Sequence, residues 1–327
     1  MKYKETPFSI GMLLLPAFNS MAAQAFIDPF RAANYLQVEP IYDWHLLSLD
    51  NKEVTASNGL TISRTTPIQQ TKTRFDLLVV NSSWTPEAFQ DAEFRTWLRL
   101  LARDEIPLAG LDTGAFVLAF AGLMDGYRAT VHLEHAASFR ERFPDTHLQE
   151  TLYCIDRDRL SCAGGLAAAD LSLELIKQHH GSQLANATAN YIFKDRIRFA
   201  DEPQRSWYYP SLKSQVPVEV KNAINLMQNN LEQALSIADV CLHLHISQRQ
   251  LERRFKAQFG VTPKRYYLGL RLERAYSLLT QTELSLSEIA SACGFNSSEN
   301  FTRAYKKHFG TLPSLDKKEG RIPFQFR

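Results

Sequence analysis

Residues 235–263 read LSIADVCLHLHISQRQLERRFKAQFGVTP, and residues 284–313 read LSLSEIASACGFNSSENFTRAYKKHFGTLP. The two stretches match. Ser236 pairs with Ser285, Asp239 with Glu288 and Val240 with Ile289, all 49 apart. Ser247 pairs with Ser297, Leu251 with Phe301, Arg253 with Arg303 and Phe255 with Tyr305, all 50 apart. Lys256, Phe259, Gly260 and Pro263 pair in the same way with Lys306, Phe309, Gly310 and Pro313, and the extra residue falls near Gly294. Ser236 and Ser285 suit helix N-caps, each with an acidic residue three positions on that complements the helix dipole, and Ser285 with Glu288 spells a capping box. A short helix and a turn follow, and Ser247 and Ser297 cap a second helix. That helix buries Leu251, Phe255 and Phe259, or Phe301, Tyr305 and Phe309, at a spacing of four. Gly260 and Gly310 stand where a left-handed C-cap residue is wanted.

The outer face of the first such helix carries Arg249, Glu252, Arg253 and Lys256. That of the second carries Ser298, Glu299, Thr302, Arg303, Lys306 and Lys307. Helix, tight turn and helix, with a polar, basic second helix, is the arrangement that places a helix in a DNA major groove. An αα-hairpin repeat used for protein contact is the competing reading; an exposed Arg recurring at the same repeat position opposes it. Arg249, Glu252, Arg253, Ser298, Glu299, Thr302 and Arg303 are expected to face base edges, with Lys256, Lys306 and Lys307 on the same DNA surface.

Outward from the repeat, the chain has 327 residues and a net charge of +2. At about 150 residues per domain this suggests two domains. The charge is unevenly shared: residues 1–214 carry 21 Lys+Arg and 25 Asp+Glu, a net of −4, and residues 215–327 a net of +6. An anionic partner is therefore expected for the C-terminal part only. Four cysteines, Cys154, Cys162, Cys241 and Cys293, form no CxxC pair, and the histidines at 179, 180, 243 and 245 lack a third ligand at suitable spacing. Neither a disulfide framework, a metal nor a cofactor is expected. The apolar run Phe8–Phe18 contains Gly11 and Pro16, is too short to span a bilayer and has no small-residue cleavage site after it. It reads as a buried strand. No membrane partner is expected, and the default compartment is the cytoplasm.

Residues 200–217, ADEPQRSWYYPSLKSQVP, read as a linker. The expected domains are 6–197 and 218–315, with the linker at 198–217. Before it, strand-length apolar runs at 8–15, 44–49, 76–80 and 106–111 alternate with helical patterns at 22–36, 86–102, 114–121, 135–143 and 167–179. Residues 152–155 and 159–162 look like a later strand pair, and 54–64 like a small antiparallel excursion turning at Ser57-Asn58-Gly59. This alternation argues for a parallel sheet covered on both faces, an α/β sandwich followed by an all-α domain.

Two resemblances follow. Residues 218–313 resemble the DNA-binding domain of the AraC/XylS family of transcriptional regulators. The marks are Arg253-Arg254-Phe255-Lys256, Phe259-Gly260-Val261-Thr262-Pro263, Arg271-Leu272, Ala275, Leu278-Leu279, Ile289-Ala290, Gly294-Phe295, Phe301-Thr302-Arg303-Ala304-Tyr305-Lys306-Lys307 and Phe309-Gly310. The resemblance implies a double helix-turn-helix domain in which a long helix, about 264–280, lets both recognition helices reach adjacent major grooves. After Pro313 the sequence departs from the family, which usually continues with a basic or aromatic segment; here Leu315-Asp316-Lys317-Lys318 follows.

The second resemblance lies in residues 6–195. Ile106-Pro107-Leu108-Ala109-Gly110-Leu111-Asp112-Thr113-Gly114-Ala115-Phe116 reads as strand, sharp turn and helix, the setting of a nucleophile elbow. With residues 122–132, GLMDGYRATVH, and 159–165, RLSCAGG, it resembles the class I glutamine amidotransferase-like (PfpI-type) superfamily, in the branch fused to AraC-type domains. That implies a flavodoxin-like sandwich. The superfamily's enzymes carry Cys at the elbow where this chain has Asp112; the later His matches His132, and no Asp or Glu lies between Pro16 and Ile27, where a supporting carboxylate is expected. A carboxylate is a far weaker nucleophile than a thiolate, so covalent catalysis is not expected. The pocket remains: Asp112, Thr113, Trp84 and His132 are the candidate ligand residues, at the carboxyl ends of the strands. Asp112 reads either as a helix N-cap or as a fixed anion facing a cation, and Trp84 either as packing or as a cation–π wall. Similar regulators with Asp-Thr-Gly at the elbow look like sensors of betaine, carnitine or arginine-type nutrients. The resulting expectation is a sequence-specific activator of catabolic genes with an inactive amidotransferase-like sensor. Its expected partners are double-stranded DNA, a small-molecule effector, a second copy in a homodimer and RNA polymerase. The alternative is an amidotransferase- or hydrolase-type enzyme fused to a DNA-binding domain.

Overall fold

The computed structural model describes residues 6–63, 65–71, 73–202, 204 and 217–319. The chain divides between Gln204 and Arg205 into two compact units. Most of the linker expected at 198–217 lies outside the described residues. Residues 198–202 and Gln204 are held on the first unit. Arg198 binds the buried Asp170 at 2.7 Å, and the Gln204 side-chain amide donates to the carbonyls of Val131 and Thr151.

In chain order the first unit runs β1 (Phe8–Leu14), α1 (Ser20–Gln37), β2 (Tyr42–Ser48), β3 (Val54–Thr55), β4 (Thr61–Ile62), β5 (Thr66–Pro67), β6 (Leu77–Ser82), α2 (Ala92–Arg103), β7 (Leu108–Asp112) and α3 (Gly114–Phe120). It continues with β8 (Arg128–Ala129), α4 (Ala136–Arg142), β9 (His147–Leu148), β10 (Tyr153–Asp156), β11 (Arg159–Cys162), α5 (Ala167–His180) and α6 (Ser182–Tyr191). Seven strands form one sheet in the order β10-β11-β7-β6-β1-β2-β5. Its pairings are parallel except β10 with β11. Because side chains alternate across a strand, the two faces build separate cores. Ile10, Met12, Leu14, Val79 and Leu111 pack with Phe26 and Phe30 of α1 and with α5 and α6. Leu13, Leu78, Val80 and Leu108 pack with Phe94 and Leu98 of α2, Phe116 of α3 and Phe139 of α4. The β3–β4 hairpin is the expected antiparallel excursion.

One expectation is corrected. The helix expected from Pro86 does not start there: Pro86–Ala88 form a single 3-10 turn, and α2 begins at Ala92. Asp91 is the true cap, accepting from the amides of Glu93 and Phe94, and Thr85 is left-handed at φ 53°. Proline's fixed φ suits either kind of turn, so it did not locate the α-helix.

The second unit is helical among the described residues: α7 (Val218–Gln228), α8 (Ile237–His243), α9 (Gln248–Phe259), α10 (Pro263–Gln281), α11 (Leu286–Ala292), α12 (Ser298–Phe309) and α13 (Pro313–Glu319). The caps form as the sequence spells them. Ser236–Asp239, Ser247–Gln250 and Ser285–Glu288 are reciprocal capping boxes, and Ser297 accepts from the Asn300 amide. Gly260 and Gly310 end α9 and α12 at φ 71° and 80°. Leu251 and Phe255 pack against Val220, Ile224, Val240 and Tyr266. In the second helix-turn-helix, Phe301, Tyr305 and Phe309 pack edge-on or tilted one against the next, with Phe309 tilted against Tyr276 of α10. The departing tail folds as α13, where Asp316 accepts a 2.6 Å hydrogen bond from the Tyr305 hydroxyl.

Candidate functional site

The β7–α3 turn keeps the geometry of an elbow. Asp112 is 5% exposed and sits at φ 60°, a left-handed conformation that costs an L-residue about 1–2 kcal/mol. Packing enforces the turn. A Cβ on Gly114 would lie 2.1 Å from the Val80 carbonyl oxygen, so only glycine lets α3 begin this close to β6. The neighbouring 162–165 turn is equally tight, since a Cβ on Gly164, itself at φ 92°, would lie 2.9 Å from the Asp112 Cβ.

The carboxylate of Asp112 is held from across the sheet. Asn19 Nδ2 donates to Asp112 Oδ2 at 2.7 Å. Asn19 is itself fixed twice: its Oδ1 accepts from the Ala22 amide as the N-cap of α1, and its carbonyl accepts from Asn81 Nδ2 at 2.9 Å. The N-cap position of α3 belongs to Thr113, whose side chain makes no cap bond. Its hydroxyl donates instead to the Ser83 carbonyl at 2.7 Å. Asn81 Oδ1 and Ser82 Oγ, on the strand beside Asp112, are buried with no hydrogen-bond partner among the described residues.

The other sequence candidates are placed less tightly. Trp84 is half-buried, two residues past the end of β6. His132 is half-buried and its Nδ1 accepts from the Glu134 amide at 3.3 Å. Cys162 is fully buried, and burial pushes its thiol up to about 12, so it stays protonated at neutral pH. No group of three His, Cys, Asp or Glu among the described residues is placed to hold a metal ion. No helix among them is long and apolar enough to cross a membrane. Asn19 was missed in the sequence. Asn19 has only the signature of a helix cap, and its partner is 93 residues away.

On α9, Arg249, Arg253 and Lys256 are exposed opposite the buried Leu251 and Phe255. Glu252 is half-buried and accepts from Gln248 at 3.0 Å. Arg254, the next residue round, is spent on an ion pair with Glu219 of α7 at 2.9 Å. On α12, Ser298, Glu299, Thr302, Arg303, Lys306 and Lys307 line one open depression. Arg303 also donates to Asn300 one turn earlier. Each recognition helix thus presents a polar face rich in cations and forked donors, which suits phosphates and guanine edges.

Known proteins share both halves. A helix-turn-helix domain family matches residues 240–318. The HTH-type transcriptional regulator CdhR of Pseudomonas aeruginosa is 38% identical over 93% of this chain and 90% of its own. An AraC family transcriptional regulator from Pseudomonas putida, of known crystal structure, superposes with a TM-score of 0.51 at 29% identity, over 57% of this chain and 100% of its own. Drosophila melanogaster DJ-1beta superposes with a TM-score of 0.51 at 17% identity, over 58% of this chain and 100% of its own, and shows the shared fold of the first unit. With the double helix-turn-helix and the elbow-bearing sandwich in one chain, the protein belongs to the AraC/XylS-type family of DNA-binding transcriptional regulators, with an N-terminal domain of the PfpI/DJ-1 amidotransferase-like fold.

Proposed function

We propose that this regulator senses a small, positively charged nitrogenous metabolite at the elbow and, as a homodimer contacting RNA polymerase, activates catabolic genes in response, without turning the ligand over. The observation that carries the ligand class is Asp112. It is a buried carboxylate at a strained turn, its hydrogen-bond donor is the neutral amide of Asn19, and it caps no helix. Burying a carboxylate without an opposite charge costs several kcal/mol, which a cationic ligand offsets. Trp84, two residues past the end of the neighbouring strand β6, would supply an aromatic wall worth about 0.5–2 kcal/mol to such a cation. Asn81 Oδ1 and Ser82 Oγ add unused polar capacity beside it. Activation, dimerisation and the polymerase contact are supported by the family resemblance. Loss of catalysis is supported by the carboxylate at the nucleophile position and by the protonated Cys162 thiol.

The ligand acts only through a difference in affinity between two arrangements of the regulator. In a reporter strain, Asp112→Asn is therefore expected to abolish induction while full-length protein binds its operator as tightly as the wild type. Unchanged induction in the Asp112→Asn strain overturns the assignment.

A further inference from the structure

The helix that joins the two helix-turn-helix units carries Tyr267 and Arg271 four residues apart, so both side chains leave the same face of α10. Tyr267 is buried. Its hydroxyl donates to the Asn230 carbonyl and accepts from the Leu235 amide at 3.2 Å, which ties down both ends of the loop leading into α8. One turn further along, Arg271 reaches the other unit. Its Nε donates to the Cys293 carbonyl at 2.8 Å and its Nη2 to the Gly294 carbonyl at 2.6 Å. These are carbonyls at the C-terminal end of α11, where a cation complements the helix dipole. The guanidinium also lies 4.3 Å from the Phe295 ring centroid, and Phe295 packs on Phe301, the first buried residue of α12.

The turn of the second helix-turn-helix also rests directly on the loop that leads into the first. A Cβ on Gly294, which sits at φ 72°, would lie 2.7 Å from the Leu231 carbonyl oxygen and 2.8 Å from that of Glu232. No side chain fits between the two backbones. The loop before α8 and the turn before α12 are therefore held against each other, and one face of α10 grips both.

We propose that Tyr267, Arg271 and Gly294 form a clamp that fixes the distance and rotation between α9 and α12, and that this clamp makes the regulator selective for the number of base pairs between its two half-sites. Tyr267 and Arg271 are positioning residues; the base-facing side chains are on other helices. The inference rests on the reading that α9 and α12 each enter a major groove. One added base pair displaces the second half-site by about 3.4 Å and rotates it by about 34°. A rigid pair of helices cannot follow that change without straining the protein or bending the duplex. A pair joined by α10 alone, without the clamp, would follow it at the cost of a less preorganised fit.

The test uses full-length protein and a duplex selected by the wild type from random sequence, with one base pair inserted or deleted between the half-sites. Wild-type affinity is expected to fall about tenfold or more per inserted base pair, the size of a good mismatch penalty. Arg271→Gln and, independently, the milder Tyr267→Phe are expected to shrink that penalty to about threefold or less, while single-base preferences within each half-site stay as in the wild type. Loss of folded protein scales all affinities alike and leaves this ratio unmoved. Arg271→Lys, which keeps one donor but not the fork, should fall between. If both variants retain the wild-type spacing penalty, the clamp is refuted. If the wild type ignores spacing but reads both half-sites, the clamp fails alone; if changes in the second half-site have no effect on the wild type, the two-groove reading fails with it.

Discussion

The elbow and the recognition helices carry function in opposite ways. At the elbow the backbone is what persists. Asp112 holds φ 60°, and Gly114 and Gly164 are squeezed against Val80 and Asp112. The residue at the tip, however, is the wrong one for a nucleophile. In the C-terminal unit the side chains persist, twice over: Leu251 and Phe255 beneath Arg253, Phe301 and Tyr305 beneath Arg303. The difference follows from what holds each feature. The elbow is set by close contacts at Gly114 and Gly164, so its shape does not depend on which side chain stands at the tip. A surface helix is set by its buried stripe and caps, so its outward residues answer to the DNA partner.

The contrast is sharpest under substitutions that attack each kind of support. The largest effect is expected at Gly114. Gly114→Ala drives a methyl into the Val80 carbonyl, and overpacking of that severity should cost the first unit about 3 kcal/mol or more. Urea unfolding of the full chain would show one transition moving to lower denaturant while that of the helical unit stays; a wild-type profile would mean that the elbow is not enforced by packing. Next comes Arg253→Ala, expected to cost about 1–3 kcal/mol of operator binding and to relax preference at one base position. Lys306→Ala should instead weaken all sequences evenly and lower the salt slope by about one. Binding titrations across single-base operator variants and salt concentrations separate the two, and identical patterns would mean that α9 or α12 is misoriented.

The smallest effect lies in the caps. Ser285→Ala should cost about 1 kcal/mol of C-terminal stability. The Ser285 hydroxyl, and then its backbone amide, hold the Glu288 carboxyl below its ordinary value of 4.5. A depressed carboxyl contributes stability that is present above that ordinary value and is lost as the pH falls through the folded one. Glu288→Gln should therefore flatten the acid limb of the C-terminal melting profile; an unchanged limb would place the acid sensitivity elsewhere.

The helical repeat was legible because its signals are local. A Ser three residues before Asp, Gln or Glu, an apolar stripe at spacing four and a terminal Gly each act within one or two turns. The sheet was legible for a similar reason: residues 10–14 and 108–111 are apolar on both faces, as strands covered by helices on each side must be. What escaped was set by distance along the chain. Asn19 reads as a helix cap until the fold brings it to Asp112, and Arg271, though one of the family's marks, has no readable partner until Cys293 and Gly294 arrive beneath it. The start of α2 escaped differently, because Pro86 and Asp91 both signal a helical start and only packing chose between them. Thr113 directly follows β7 at its carboxyl end, whereas His132 follows β8, a strand of a separate two-stranded sheet. Their hydrogen bonds to Ser83 and Glu134 give each a local structural role that the motif did not disclose.

If the elbow carries a charge that selects a cation, as proposed, calorimetry on purified full-length protein will show it. Trimethylammonium and guanidinium metabolites would be titrated into the wild type and into Asp112→Asn. The expected result is saturable binding of at least one of them to the wild type, with a loss of about tenfold or more in Asp112→Asn, the scale of a buried charge left unpaired. Equal affinity in the two proteins, or no binding of either cation class to the wild type, would contradict it.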